Sequence, residues 1–138
     1  EMALAEAGIK LPRSLVADGQ YTFDSGIAAT DSLLDLSPRP TAIFACNDEM
    51  AAGVLFAARE RGLSVPDDLS IIGFDDTPIA ARVWPPLTTV RWPIVAMGRS
   101  AALKLISGTI AHGEEVTEPS LFISTLIRRG SVAPPRKT

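Results

Sequence analysis

The chain has 138 residues, 46% of them hydrophobic, and a formal net charge of −3 at pH 7. These values predict one globular domain, because a disordered chain would be poorer in apolar residues and a second complete domain would need more sequence. The negative charge excludes a basic surface that neutralises phosphates, so the chain should not bind nucleic acid by itself. Cys46 is the one cysteine, which excludes an internal disulfide and fits a reducing compartment.

The first residues of the chain have the pattern of the end of a helix, closed by Gly8 at the position where helices favour a left-handed residue. Glu1 is not a natural start, so we interpret the chain as a fragment of a longer protein. No signal sequence opens the chain, and no apolar run approaches the length of a transmembrane helix, so we expect no membrane contact.

Short apolar runs then alternate with helical periods, which is typical of a parallel open sheet flanked by helices, an α/β fold. The predicted strands cover residues 14–17, 41–46, 69–74 and 121–126. The predicted helices cover residues 24–36, 48–61 and 93–106. The first begins at Asp24, the second at Asn47 or Asp48, and the third at Pro93. Gly62 follows the second helix and Gly108 follows the third. Residues 43–46 and 70–74 show no alternation, so both faces of these strands should be buried.

Polar side chains follow two of the predicted strands, namely Asn47 with Asp48 and Asp75 with Asp76. Small ligands of open α/β sheets bind beyond the carboxyl ends of the strands, so these residues should face a cleft. A carboxylate accepts two hydroxyl donors and an amide both donates and accepts, which suits a sugar or polyol. Acid–base work by the two aspartates is the alternative, as are an N-cap role for Asn47 or Asp48 and a loop role for Asp76.

Two aromatic residues compete for a stacking role in the loop before the helix at residues 24–36. Tyr21 and Phe23 both lie close to the predicted edge, where an aromatic face stacks against a sugar ring or a flat base. Anchoring the loop by burial is the structural alternative for either of them.

Catalytic and metal-binding motifs are absent from the sequence, including GxSxG, GxGxxG, the P-loop and HExxH. His112 lies in a polar loop without a Cys, His or carboxylate at ligand spacing. We therefore expect no enzyme activity, no cofactor and no metal.

The helix at residues 48–61 has an apolar face for the sheet and one large residue on the other side. The face contains Met50, Ala51, Val54, Leu55, Ala57 and Ala58. Phe56 lies nearly opposite, next to Ala52, and predicts contact with another element or another subunit. A scattered exposed apolar residue is the alternative.

Four motifs, spaced along the chain, resemble those of one protein family in sequence and in order. They are PTAIFACNDEMAAG at residues 40–53, VPDDLSIIGFDD at 65–76, PPLTTV at 85–90 and RRG at 128–130. The chain resembles the effector-binding domain of the lac repressor (LacI/GalR) family of bacterial transcription regulators. The resemblance implies a fold like that of type I periplasmic binding proteins. It divides the chain into residues 1–91 of the carboxyl-terminal lobe, a crossover segment and helix of the other lobe at 92–118, a returning strand at 119–132 and a tail at 133–138.

The same resemblance implies roles for individual residues. Tyr21, Asn47 and Asp75 would contact the effector, which leaves Asp48 as the helix N-cap. Trp92 lies where the chain crosses between lobes, and many relatives carry glutamine there, so tryptophan should change which effectors fit. The implied dimer interface consists of Ala52, Phe56, Ile79, Arg82, Val83 and Trp84.

The function implied by the resemblance is a cytoplasmic sensory module that binds a small effector, a sugar or related polyol rather than a purine. It would form homodimers and contact DNA only through a helix-turn-helix segment absent from this chain. A periplasmic sugar-binding protein of a transporter and a doubly wound enzyme are the alternatives, and the second lacks a catalytic grouping. The apolar face of the helix at 93–106 should need a sheet upstream of Glu1. In this chain alone we expect the helix to dock on another copy or to be displaced, and effector binding to be weak.

Overall fold

A computed structural model describes residues 2–106 and 121–135. The helices are α1 (Met2–Glu6), α2 (Phe23–Leu34), α3 (Asp48–Glu60), α4 (Pro78–Arg82) and α5 (Ile94–Ile106), with a 3₁₀ turn at Arg13–Leu15. The strands are β1 (Ala42–Phe44), β2 (Ser70–Ile72), β3 (Thr89–Arg91) and β4 (Thr125–Ile127). The expected helix stop at Gly108, the loop of His112 and the basic end of the tail lie outside the described residues.

The four strands form two pairs, β1 with β2 and β3 with β4, and an isolated bridge connects the pairs. β1 pairs with β2 in parallel, with Ile43 opposite Ile71, and a parallel bridge from Ile72 to Thr88 leads to β3. β4 pairs with β3 in the antiparallel direction. The predicted parallel α/β sheet is confirmed for β1 and β2, and the antiparallel strand is an addition to it.

The core lies between this sheet and α3. Leu69, Ile71 and Leu87 are fully buried, and all six residues predicted on the sheet face of α3 are buried too. The helical period therefore predicted the inward side of α3 correctly, because burying apolar area is what fixes the helix on the sheet.

α2 packs across the other side of α3 at backbone distance. A Cβ atom on Gly53 would meet the carbonyl oxygen of Phe23, and one on Gly26 would meet the carbonyl oxygen of Met50. Glycine permits this approach because it carries no Cβ. The contact buries Ala52 to 2% exposure, so the expected subunit surface cannot include Ala52.

The predicted strand at residues 14–17 is wrong. Pro12 has φ −65° and ψ 143°, and the chain then turns through Arg13–Leu15, with the Val16 amide donating to the Arg13 carbonyl at 3.0 Å. Local hydrogen bonds of this kind compete with strand pairing. The last strand is also displaced, from the predicted residues 121–126 to Thr125–Ile127.

Two further details differ from the sequence expectations. Thr22, not Asp24, caps α2, because the Ser25 amide donates to Thr22 Oγ1 and the Thr22 amide donates back to Ser25 Oγ, both at 3.2 Å. Phe44 is 57% exposed and Cys46 is exposed, so only one face of β1 is buried. Alternate side chains of a strand point to opposite faces, and Ile43 takes the inward one.

α5 coincides with the helix predicted at residues 93–106, and none of its residues is buried. It leaves apolar side chains in water, namely those of Ile94, Val95, Leu103, Leu105 and Ile106. Within the described ranges 2–106 and 121–135, no helix combines the length and apolarity required to cross a membrane.

Candidate functional site

The carboxyl ends of β1 and β2 bring two of the predicted site residues to one edge of the sheet. β1 ends at Phe44 and β2 at Ile72, and Asn47 and Asp75 each follow three residues later. Because the two strands are parallel neighbours, their carboxyl ends lie at the same edge. This is the edge where ligands of open α/β sheets bind.

Asn47 caps α3 and also holds the loop of Tyr21. Its Oδ1 accepts a hydrogen bond from the Met50 amide at 2.8 Å, and its Nδ2 donates to the Tyr21 carbonyl at 3.0 Å. The expectation that Asp48 caps this helix is therefore wrong. An amide has two N–H donors, so Nδ2 retains one for another partner.

Asp48 is fully buried and binds the turn that follows β2. One carboxylate oxygen accepts from the Thr77 amide at 2.6 Å and from Thr77 Oγ1 at 3.1 Å, and the other accepts from Thr89 Oγ1 at 2.6 Å. Gly73 makes room for it, since a Cβ there would meet Asp48 Oδ1. Sequence reasoning missed this role, and Gly73 before the aspartate pair is the signal that could have indicated it.

Asp75 presents a carboxylate at this edge from an unusual backbone conformation. Its φ is 101°, in the left-handed region that is costly for a residue with a side chain. The Asp75 amide donates to the Val90 carbonyl at 2.8 Å, whereas no residue within the described ranges donates a hydrogen bond to its carboxylate. Burial, and then the charge of Asp48, raise the pKa of Asp75.

Asp76 is engaged by two arginines, as expected for a structural residue of the turn. Its side chain is 6% exposed, and Arg129 Nη2 and Arg91 Nε donate to it at 2.6 Å each. Burial alone would raise the pKa of Asp76, but the hydrogen bonds from Arg129 and Arg91 outweigh burial and lower it.

Trp92 belongs to a row of aromatic rings that includes Phe74, the residue before Asp75. Its ring packs edge-on against Phe74 with centroids 5.5 Å apart, and Phe74 packs edge-on against Phe44 at 6.2 Å. Such edge-to-face contacts are favourable for aromatic rings. Trp92 is only partly buried, so it retains surface for a further contact.

Tyr21 and Phe23, the two competing aromatic residues, point to different places. Phe23 packs on Phe56 with ring centroids 5.8 Å apart, which puts it in the contact between α2 and α3. Tyr21 is 69% exposed, has φ 61°, and is tied to the sheet edge by the bond from Asn47 to its carbonyl oxygen. Tyr21 is therefore the aromatic residue with free surface near Asn47.

The residues expected at a dimer interface differ in exposure. Trp84 is 75% exposed and Arg82 is exposed, Phe56 is partly covered by Phe23, and Ile79 and Val83 are half-buried. Arg59 of α3 donates to the Trp84 carbonyl at 3.2 Å, which joins the loop after α4 to the end of α3. Within the described residues, no group of three His, Cys, Asp or Glu is arranged to hold a metal ion.

The chain matches the model of a known family over almost its whole length. The family model described as periplasmic binding protein-like domain matches residues 1–132. The chain belongs to this family. Its similar proteins are LacI-type regulators, which confirms the resemblance seen in the sequence motifs.

The chain is 47% identical over 105 residues to catabolite control protein A of Priestia megaterium, covering 76% of this chain and 31% of that protein. It is 43% identical over 134 residues to the HTH-type transcriptional regulator GalS of Salmonella typhimurium, covering 95% of this chain and 38% of that protein. The chain thus spans about a third of the length of these relatives.

Solved structures of the family superpose closely. One is a sugar-binding transcriptional regulator of the LacI family from Escherichia coli, complexed with phosphate, with a TM-score of 0.83 and 39% identity over 96% of this chain and 48% of that one. Another is the CelR–cellobiose complex, with a TM-score of 0.83 and 37% identity over 94% of this chain and 39% of that one.

Proposed function

We propose that this chain is part of the effector-sensing domain of a LacI-type transcription regulator, and that its effector is a sugar or related polyol. The observation that carries the proposal is the Asp75 carboxylate. It is half-buried at the carboxyl edge of the sheet, its residue is held in a costly left-handed conformation, and no described residue donates a hydrogen bond to it. A charged group that is partly removed from water without donors favours a ligand that supplies them.

Hydroxyl groups of a sugar fit the donors and acceptors at this edge. The Asp75 carboxylate accepts from two hydroxyls, and Asn47 keeps one N–H to donate to a sugar oxygen. Tyr21 and Trp92 add aromatic surface against which the apolar face of a sugar ring can pack. These four residues make up the proposed effector site.

The names of similar proteins support the choice of ligand and role. CelR was solved with cellobiose, and a LacI-family regulator from Enterococcus faecium was solved with bound ribose. The curated relatives are regulators, which favours regulation over transport and over catalysis. We propose a cytoplasmic location on the same ground.

The regulator would act by a difference in affinity between two states. Effector binding shifts a conformational equilibrium only by as much as it favours one state, and that shift would change the affinity of a linked DNA-binding segment. The proposal includes a homodimer built on Phe56, Ile79, Arg82, Val83 and Trp84. DNA contact would be made by a helix-turn-helix segment outside residues 1–138.

A thermal-shift screen against D-ribose, D-galactose, cellobiose and adenosine tests the ligand class. A compound that binds only the native state raises the melting temperature. Above its dissociation constant, the rise grows with the logarithm of the compound's concentration. We expect a sugar to do so and adenosine not to. A shift given by adenosine alone would contradict the sugar assignment.

Two substitutions test the residues, with calorimetric titration of a sugar that passes the screen. Asp75→Asn keeps the shape but removes the charge, so the sugar should bind at least about tenfold more weakly. Asn47→Ser keeps an N-cap and removes the Nδ2 donor, so it should weaken binding while costing less stability than Asn47→Ala. Asp35→Asn is the matched control, since Asp35 is exposed at the end of α2 that lies away from Tyr21. Unchanged affinity in Asp75→Asn would remove Asp75 from the site.

A further inference from the structure

The turn after β2 holds two consecutive residues in left-handed conformations. Asp75 has φ 101° and Asp76 has φ 54°. Residues other than glycine rarely adopt this backbone conformation. Two such residues in succession persist only where the surrounding structure fixes them. The residues that fix this turn lie on both sides of it.

Asp48 holds the turn on the side of α3. Both its oxygens are used, one by the amide and hydroxyl of Thr77 and the other by the hydroxyl of Thr89. Because this carboxylate is fully buried, the three donors stabilise it in place of water.

Arg129 holds the turn on the side of β4. Its Nη2 donates to Asp76 Oδ1 at 2.6 Å, and its Nη1 donates to the Leu87 carbonyl at 2.8 Å. The Arg129 amide also donates to Thr88 Oγ1 at 3.0 Å. Arg129 is therefore tied to the strand beside the turn as well as to the turn itself, and its planar fork suits this double contact.

Thr89 joins the two sides. Its hydroxyl donates to Asp48 and accepts from the Asp76 amide at 3.4 Å. Asp75 lies between these anchors with its carboxylate free of described donors. We propose that Asp48, Asp76 and Arg129 form a two-sided clamp of positioning residues, which holds the Asp75 carboxylate toward the effector and is not itself in contact with it.

The turn of Asp75 is also bonded to β3, the strand that precedes Trp92. The Asp75 amide donates to Val90, and the next residue, Arg91, pairs with Asp76. Trp92 follows directly, so the strand that leads to Trp92 is fixed to the same turn. This inference deepens the proposed function, because it assigns positioning residues to the proposed effector site.

Hydrogen exchange of the 138-residue chain tests the clamp without any ligand. In Arg129→Gln we expect the Asp75 amide to exchange at least about tenfold faster, because the turn opens locally when its anchor is lost. Amides in the middle of α3, such as that of Leu55, should keep their rates. Arg61→Gln is the matched control, since Arg61, like Arg129, forms an ion pair with aspartate, here with Asp31 and Asp35 at the contact of α2 and α3.

Equal acceleration at Asp75 and Leu55 in Arg129→Gln would mean a general loss of stability and would overturn the clamp. An unchanged Asp75 rate would overturn it as well. If Arg129→Gln does not fold, Thr89→Val removes the hydroxyl that joins the two sides and that is one of the three donors to Asp48, and it must show the same local acceleration. Arg129→Lys should restore the rate in part, because it keeps the charge and loses the fork.

Titration with D-ribose, D-galactose and cellobiose separates this inference from the proposed function. Where one of them binds, Arg129→Gln should raise its dissociation constant about tenfold and Arg61→Gln should leave it unchanged. An unchanged constant in Arg129→Gln would overturn the positioning role. If none of the three binds the full-length protein, the proposed sugar site fails, and the exchange rates of the 138-residue chain still decide whether the clamp exists.

Discussion

Asp75 and Asp76 are consecutive residues of one turn, yet their surroundings shift the pKa values of their carboxyl groups in opposite directions. Burial and the nearby charge of Asp48 raise the pKa of Asp75, whereas Arg129 and Arg91 outweigh burial and lower the pKa of Asp76. The ionised form of Asp75 therefore costs stability, and the ionised form of Asp76 contributes it. Asp76 is bound by two arginines of the chain, whereas the carboxylate of Asp75 has no described donor and is available to a ligand.

The first prediction is that Asp75→Asn is more stable than the unmodified chain at pH 7. A carboxyl group whose pKa is raised on folding stabilises the fold below its unfolded pKa and loses that contribution as pH rises through its folded pKa. Removing the charge should therefore help at neutral pH, and the advantage should vanish near pH 3 to 4, about the ordinary pKa of an aspartate. Urea unfolding at both pH values checks this. If Asp75→Asn were less stable than the unmodified chain at pH 7, the ionised carboxylate of Asp75 would not destabilise the fold.

The second prediction is that Asp76→Asn is destabilised at pH 7, by about 3 kcal/mol, because two arginines lose the charge of their shared partner. The sign of the pH effect is reversed. A carboxyl group whose pKa is lowered on folding contributes stability above its unfolded pKa, and that contribution is lost as pH falls through its folded pKa. The difference in the free energy of unfolding between Asp76→Asn and the unmodified chain should therefore decrease below about pH 4. A constant gap from pH 7 to pH 3 would show that the charge is not its cause.

The sequence predicted the elements whose identity depends on their own apolar period. α3 and β2 belong to this class, since a six-residue apolar face and a continuous apolar run fix their burial locally. The residues at 14–17 had a strand-like pattern but fold as a turn, because strand pairing depends on a neighbour that lies elsewhere in the chain. Phe44 is exposed for a similar reason, since the covering of the second face of β1 cannot be inferred from β1 itself.

The polar residues at the carboxyl edge of the sheet were predictable by residue type and position, but their bonds within the chain were not. Asn47 and Asp48 are both capping residue types, and the choice between them depends on Thr89, which is 41 residues away in sequence. The same holds for Asp76, whose partner Arg129 is 53 residues distant. The sequence motif indicates the aspartate pair. Only the packed structure shows that Asp76 is bound by arginines and that Asp75 has no described donor.

The third prediction compares two glycines in the middle of helices. Gly53→Ala should destabilise the chain by about 1–3 kcal/mol, because its Cβ would meet backbone atoms of α2 that cannot move independently. Gly98→Ala in α5 meets no atom within 4 Å and should be neutral or stabilising by up to about 1 kcal/mol, as alanine favours the helix. Denaturant midpoints of both variants check this. Equal effects would mean that the close approach of α2 and α3 is not maintained in solution.

The fourth prediction concerns the proposed dimer surface. Trp84 is the most exposed of its apolar residues, while Phe56 has an aromatic partner in its own chain. Trp84→Glu is therefore a cleaner test than a change at Phe56, and it should weaken dimerisation at least about tenfold, as buried tryptophans often dominate interfaces. Sedimentation equilibrium gives the dimer constant. Met2→Glu, at an equally exposed apolar residue of α1, is the control. An unchanged constant in Trp84→Glu would locate the interface elsewhere.

The last prediction concerns α5, whose apolar side chains remain in water. Ile94 and Leu105 lie on one side of the helix at about 100° per residue, and Leu103 lies on the opposite side. An exposed apolar face of this kind favours association, so the chain should form assemblies larger than a dimer as its concentration rises. The double substitution Ile94→Glu, Leu105→Glu should abolish them, while Leu103→Glu should have a smaller effect because it leaves that face intact. Sedimentation velocity distinguishes these variants from Trp84→Glu, which should remove the dimer and leave the larger assemblies. Equal suppression by Leu103→Glu would show that helix hydrophobicity in general, and not this face, causes the association.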